Sequence, residues 1–187
     1  MFVTRNKKNC IAMKQLFVSL SLMLIAIVGL SGCSDDQEIG MTLEGTWEGY
    51  MNIYAEYGGR RYQSTDTYIS FSTDPFRFTR GDGYWLDRYV GAPWGHDYIA
   101  SHIQWRVNNQ VIYIHFIEDN YDVEIHDYRL SDNFFTGTIY MGGQTVDFRL
   151  RHVDSPNWDD YNYGYDYYAK PQSLQMPKQR PVRVLQP

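Results

Sequence analysis

Metal chemistry would draw on His102, His115 and Glu124. If Asn108-Asn109 forms a two-residue hairpin loop, Val107 meets Gln110 and His102 meets His115. If Asp119-Asn120 turns the next hairpin, Glu118 meets Tyr121 and Glu124 stands beside His115. Two imidazoles and a carboxylate are a donor set for Zn or Fe(II). On a flat sheet, however, neighbouring Cβ atoms are ~5 Å apart and the outer pair about twice that. The row therefore reads as a solvated polar ladder, and neither a metal nor a cofactor is expected. Gly-X-Ser-X-Gly, a phosphate-cradling glycine loop and placeable paired carboxylates are absent, so no catalytic residue is assigned and the chain is not expected to be an enzyme. Gly81-Asp82-Gly83 reads as a turn, and His126 and Asp127 would face opposite ways on a strand.

Aromatic stacking is the other chemistry on offer. Tyr (17) and Trp (5) are abundant, and such residues either pack β structure or line sugar and lipid sites. Trp47, Trp85, Tyr89, Trp94 and Trp105 are the candidate ligand-binding residues, for a small hydrophobic or glycan ligand. Trp94 lies in the connection Gly91-Ala92-Pro93-Trp94-Gly95-His96-Asp97, where Gly and Pro exclude regular structure. With Trp85 and Tyr89 it forms either an exposed platform that stacks sugars or a side chain folded back as a hydrophobic cap.

Cys33 carries a different chemistry. The apolar run from Leu16 to Leu30 ends in Leu30-Ser31-Gly32-Cys33, the pattern of a bacterial lipoprotein signal, in which the cysteine is acylated and becomes the mature N-terminus. The run is shorter than the ~20 apolar residues a membrane span requires. Arg5, Lys7, Lys8 and Lys14 precede it and no acidic residue occurs before Asp35, the asymmetry of a secretory signal. Met13-Lys14-Gln15-Leu16 would itself open a compact signal, so translation is expected to begin at Met13. Cys10 falls in the removed segment, which leaves the mature chain no thiol for a disulfide, metal or nucleophile. Its partner is therefore the lipid bilayer, reached through acylated Cys33. Beyond the signal, 13 basic residues face 22 acidic ones, a net charge of −9, which argues against nucleic acid as a partner.

These residues must be positioned by β structure. From Glu44 onward, short segments rich in Tyr, Ile, Val, Phe and Thr alternate with turn clusters. Strands are expected over Thr46–Glu56, Tyr62–Ser72, Phe76–Thr79 with Gly83–Val90 as one bent strand, Tyr98–Val107, Gln110–Ile117, Tyr121–Leu130, Phe134–Met141 and Thr145–Val153. The hairpin registers set Trp105 opposite Ile112, Ile103 opposite Ile114 and Phe116 opposite Val123. Gly142-Gly143 sets Ile139 against Val146, Gly137 against Phe148 and Phe135 against Leu150. A phase change near Asp127-Tyr128 predicts a β-bulge. An antiparallel up-and-down meander of eight strands removes its edges by closing into a barrel. Trp47, Met51, Ile53, Ile69, Phe71, Ile103, Trp105, Ile112, Ile114, Val123, Ile125, Val146 and Phe148 point inward; Gln104, Arg106, Asp147 and Arg149 point to water.

Gly45-Thr46-Trp47, at the start of the first strand, resembles the Gly-X-Trp motif of lipocalins. A lipoprotein signal followed by Leu-X-Gly-Thr-Trp and an eight-strand meander is similar to lipocalin-like, calycin-type lipoproteins of Bacteroidota. The resemblance implies an eight-stranded lipocalin-like barrel over 44–153, a Trp47 that plugs the closed end, and Arg149 or Arg151 laid over that ring. Ser34-Asp35-Asp36-Gln37-Glu38 is similar to the acidic export signal of Bacteroidota surface lipoproteins, which implies an outer-membrane, lipid-anchored location.

The remaining organisation is a signal peptide over 1–32, a lipidated N-terminus and linker over 33–43, and a Tyr/Pro-rich tail over 154–187 expected to be largely disordered. Two functions follow. The first is a binding lipoprotein taking a small hydrophobic or glycan ligand at the barrel mouth. The second is a non-catalytic interaction, accessory or inhibitor lipoprotein with a solid barrel and a protein partner. The interior separates them, since a hollow of ~300 Å³ or more favours the first.

Overall fold

A computed structural model describes residues 35–164 and 180–185. The signal over 1–32, Cys33, the Met13 start and the tyrosines Tyr165, Tyr167 and Tyr168 lie outside the described residues. No helix among the described residues is long and apolar enough to cross a membrane.

A helix α1 over 35–43 leads into β1 (Gly45–Tyr50), β2 (Ile53–Tyr57), β3 (Arg60–Asp74), β4 (Arg77–Tyr89), β5 (Tyr98–Asn108), β6 (Val111–Phe116), β7 (Tyr121–Leu130), β8 (Phe134–Met141) and β9 (Gln144–Val153). A last strand, β10 (Val182–Leu185), follows later in the chain. Strands β3 to β9 form an antiparallel meander, and β1 pairs with both β9 and β3, closing an eight-stranded barrel. This is the expected lipocalin-like architecture. The segment expected as one strand over Thr46–Glu56 breaks at Asn52, whose φ is +48°. Beyond the break, β2 pairs with the first half of β3 on one side and with β10 on the other.

Alternation along the strands places all thirteen expected inward residues in one buried cluster. Trp85, Val107, Phe116, Phe135, Ile139 and Leu150 join them, so every barrel strand contributes. The barrel is thus filled by its own aromatics: Trp47 meets Phe135 edge-on at 5.7 Å, and Phe71 meets Trp105 at 5.7 Å. Gln104, Arg106, Asp147 and Arg149 are exposed, as expected.

Two hairpins differ from the expected register by two residues. Trp105 faces Ile114 rather than Ile112, and Phe116 faces Tyr121 rather than Val123. The first turn is centred on Asn109-Gln110, with φ of +51° and +61°, the conformation a tight twisted hairpin requires. It is held there by Asp36, whose carboxylate accepts the Asn109 and Gln110 N–H groups at 3.0 and 2.8 Å. A shift of two leaves every side chain on its original face, so the core is unchanged. The Gly142-Gly143 register is as expected. The bulge falls between His126 and Arg129, with Asp127 at φ +49°, and seats Tyr128 over the bare Gly137.

Both flanking segments are corrected by the structure. The expected linker 33–43 is helical over its described residues, 35–43, and α1 closes one end of the barrel. Leu43 enters the core, its carbonyl accepts the Trp47 indole N–H at 2.8 Å, and Gly40 packs against the Phe78 carbonyl so closely that a Cβ would overlap it. The expected disordered tail 154–187 is ordered over its described parts. Residues 154–164 cross the outer wall of β4 and β5, where Trp158 stacks on Tyr84 at 4.9 Å and Tyr163 bridges to Ala100. Burial of Trp158, Tyr161 and Tyr163 against Tyr68, Leu86, Tyr98 and Ala100 offsets the ordering entropy.

Candidate functional site

The five candidate aromatic residues do not assemble into a mouth. Trp47 lies at the α1 end, at 0 % exposure. Trp105 donates its indole N–H to the Ser72 and Asp82 carbonyls at 3.2 and 3.1 Å. Trp85 is in the core and donates to Asp87 at 3.1 Å. Trp94 is only 3 % exposed, so of its two readings the structure has the folded-back cap. Its ring meets Tyr89, Tyr62 and Tyr57 at 5.1, 5.4 and 5.8 Å, and its N–H reaches the Tyr98 carbonyl at 3.3 Å. Neither Arg149 nor Arg151 covers Trp47. Arg149 lies over the Phe134 ring and Arg151 reaches Glu48, while His152 takes the edge of Trp47 at 5.0 Å.

The end opposite α1, where the β4–β5 and β6–β7 connections lie, is occupied by Arg183 of β10. Pairing Arg183 with Ala55 turns the guanidinium inward, where it ion-pairs with the fully buried Asp87. Its remaining donors reach Ser101 Oγ at 2.8 Å, the Ile99 carbonyl at 2.9 Å and Asp119 at 3.4 Å. Asp87 also accepts from Thr67 at 2.7 Å. The Arg183 cation sits 5.0 Å from the Phe116 ring centroid. Burial is the largest single influence and would lower its pKa, but Asp87, through charge and hydrogen bond, together with Tyr121 and Tyr89 raises it. Arg180 adds a second ion pair to Asp119, and Leu185 continues β10 into the core. Composition hid this strand among prolines, although the alternation in Val182-Arg183-Val184-Leu185 is a strand signal.

With the interior filled, a concavity lies on the outer wall. A groove of about 820 Å³ runs over β3 to β7, and its lining includes Arg80, Asp82, Arg106, Tyr113, His115 and Glu124. Arg106 lies over the Tyr113 ring at 4.7 Å. The expected His102, His115 and Glu124 row is not formed. The register places Gln104 and Asp122 beside His115, and each of the three is hydrogen-bonded elsewhere: His102 with Glu118, His115 with Asp122 at 2.8 Å, and Glu124 with His126 at 2.7 Å. Among the described residues, no three of His, Cys, Asp and Glu gather as a metal site. The groove presents charged and hydrogen-bonding groups beside the Tyr113 and Trp105 rings, which suits a polar surface.

No protein-family model matches this chain, and no curated protein matches its sequence.

Proposed function

We propose that the chain is a non-catalytic, lipid-anchored recognition protein of the outer membrane, a lipocalin-like lipoprotein of the Bacteroidota kind, held in the bilayer by acylated Cys33. Its partner is met on the outer wall and is not enclosed by the barrel. The observation that carries this reading is the filled interior: inward residues of all eight strands form one cluster, and Arg183 occupies the end through which a ligand would enter. Solid barrels of this size have only their surfaces to offer. The groove over Arg106 and Tyr113 falls within the volume range of ligand sites, and its lining matches a glycan or a polar protein loop better than an apolar molecule. A net charge of −9 beyond the signal keeps such a domain soluble above the membrane.

Site-specific photo-crosslinking in host membranes tests this. A photoreactive phenylalanine replaces Tyr113 in the groove or Tyr140 on β8. Adducts at position 113, absent at 140 and lost with Arg106→Ala, support the reading. A small apolar molecule retained by the purified protein, with no adduct at 113, overturns it.

A further inference from the structure

We propose that the α1 end of the barrel rests on the lipid surface, with Phe76 as its apolar point of contact. The inference rests on the acylation of Cys33 proposed above. Three residues of α1 fix the helix across this end of the barrel. Asp36 holds the β5–β6 turn, Gly40 abuts the Phe78 carbonyl and Leu43 enters the core. Only Ser34 and Asp35 separate Asp36 from Cys33, a reach of about 11 Å at full extension. The headgroup layer of one leaflet is itself roughly 5–7 Å thick. Acyl chains on Cys33 therefore draw this end down to the headgroups, and the domain cannot stand clear of the bilayer.

What this end presents fits such a surface. The β3–β4 hairpin lies beside α1, tied to it through the Thr73 hydroxyl, which bonds to the Glu44 carboxylate. At the hairpin tip Phe76 is 91 % exposed, more than any other large apolar side chain among the described residues. Phe78 on β4 and Met41 on α1 are exposed as well. In water these side chains gain nothing from burial, whereas a ring and a thioether at the headgroup boundary are removed from water. Arg77, exposed at the next position, suits the same boundary, because its stem can lie along apolar surface while the guanidinium stays among phosphates. Anchor and ring then act together, as two-signal membrane attachment requires.

The test uses the full-length chain, processed in host cells and reconstituted in vesicles of phosphatidylethanolamine and phosphatidylglycerol. A photoreactive phenylalanine replaces Phe76, or Val90 at the opposite end, which is 82 % exposed. Irradiation should join lipid to position 76 and not to position 90. Phe76→Ser should speed transfer of the chain to an excess of empty vesicles about tenfold, the factor for one apolar ring leaving the interface, with the urea midpoint unchanged. Vesicle-bound protein that gives no lipid adduct at 76, gives as much at 90, or gives a protein–protein adduct at 76 in place of lipid overturns the contact, as does an unchanged transfer rate. In all of these the anchor stands. An N-terminal peptide whose mass shows no acyl group on Cys33 overturns the anchor, and the contact with it.

Discussion

Replacing Arg183 with Met tests what the last strand does for the barrel. The substitution keeps much of the side-chain volume and removes the guanidinium, leaving Asp87 fully buried with, among the described residues, the Thr67 hydroxyl and Trp85 indole as its side-chain donors. Removing one member of a buried ion pair costs about 3–5 kcal/mol, a large part of the roughly 5–15 kcal/mol that holds a domain folded. With a urea dependence of about 2 kcal/mol per M, the unfolding midpoint should fall by roughly 2 M. Tryptophan fluorescence follows the transition directly, because Trp85 donates to the same carboxylate. Asp87→Leu should cost a similar amount, and the double variant should recover most of the loss, since an apolar pair can replace a buried ion pair at little cost. The single effects would then be strongly non-additive. A midpoint shift below about 0.3 M for Arg183→Met, equivalent to less than 1 kcal/mol, or simple additivity in the double variant, refutes the coupling.

Other variants and pH changes test the remaining contacts. Asp36→Ala removes the carboxylate that accepts two N–H groups of the β5–β6 turn and should cost about 1.5–3 kcal/mol in urea unfolding. Gly40→Ala drives a methyl into the Phe78 carbonyl; a loss of about 1–3 kcal/mol is expected, with hydrogen exchange increasing in α1. Burial, then the bond to Glu48, holds the Tyr68 hydroxyl up at about 12 against 10.0, and burial with Asp36 nearby does the same for Tyr128. Their contribution is complete below pH 10.0 and is lost as pH rises through about 12, so Tyr68→Phe should flatten the alkaline limb of a thermal-stability profile. Burial alone would raise the Glu48 carboxyl, but its bonds to Tyr68 and Arg151 lower it below 4.5. Its contribution is present above that value and lost as pH falls through the lower folded value, a loss Glu48→Gln should remove.

The barrel was legible in the sequence because period-two alternation survives local error. The β5–β6 and β6–β7 turns were each displaced, yet a displacement of two keeps Trp105, Ile114 and Phe116 on the inner face. Residue type alone did not choose between Asn108-Asn109 and Asn109-Gln110; Asp36, more than seventy positions away, holds the second. Gly142-Gly143 had no competitor, and its register followed. The helical residues 35–43 and the strand at Val182–Leu185 were not read; the strand is too short to form alone, and both are held by the barrel they pack on. That same closure moves the candidate site from an aromatic mouth to an outer-wall groove, since Trp47, Trp85, Tyr89, Trp94 and Trp105 are all spent on packing.

Titration with a long-chain fatty acid, read by the emission of the core tryptophans Trp47, Trp85 and Trp105, tests the solid interior most directly. A filled barrel closed by Arg183 predicts no saturable change in the wild-type protein. A saturable, one-to-one shift that persists in Arg106→Ala/Tyr113→Ala would place a ligand inside the barrel and contradict the account.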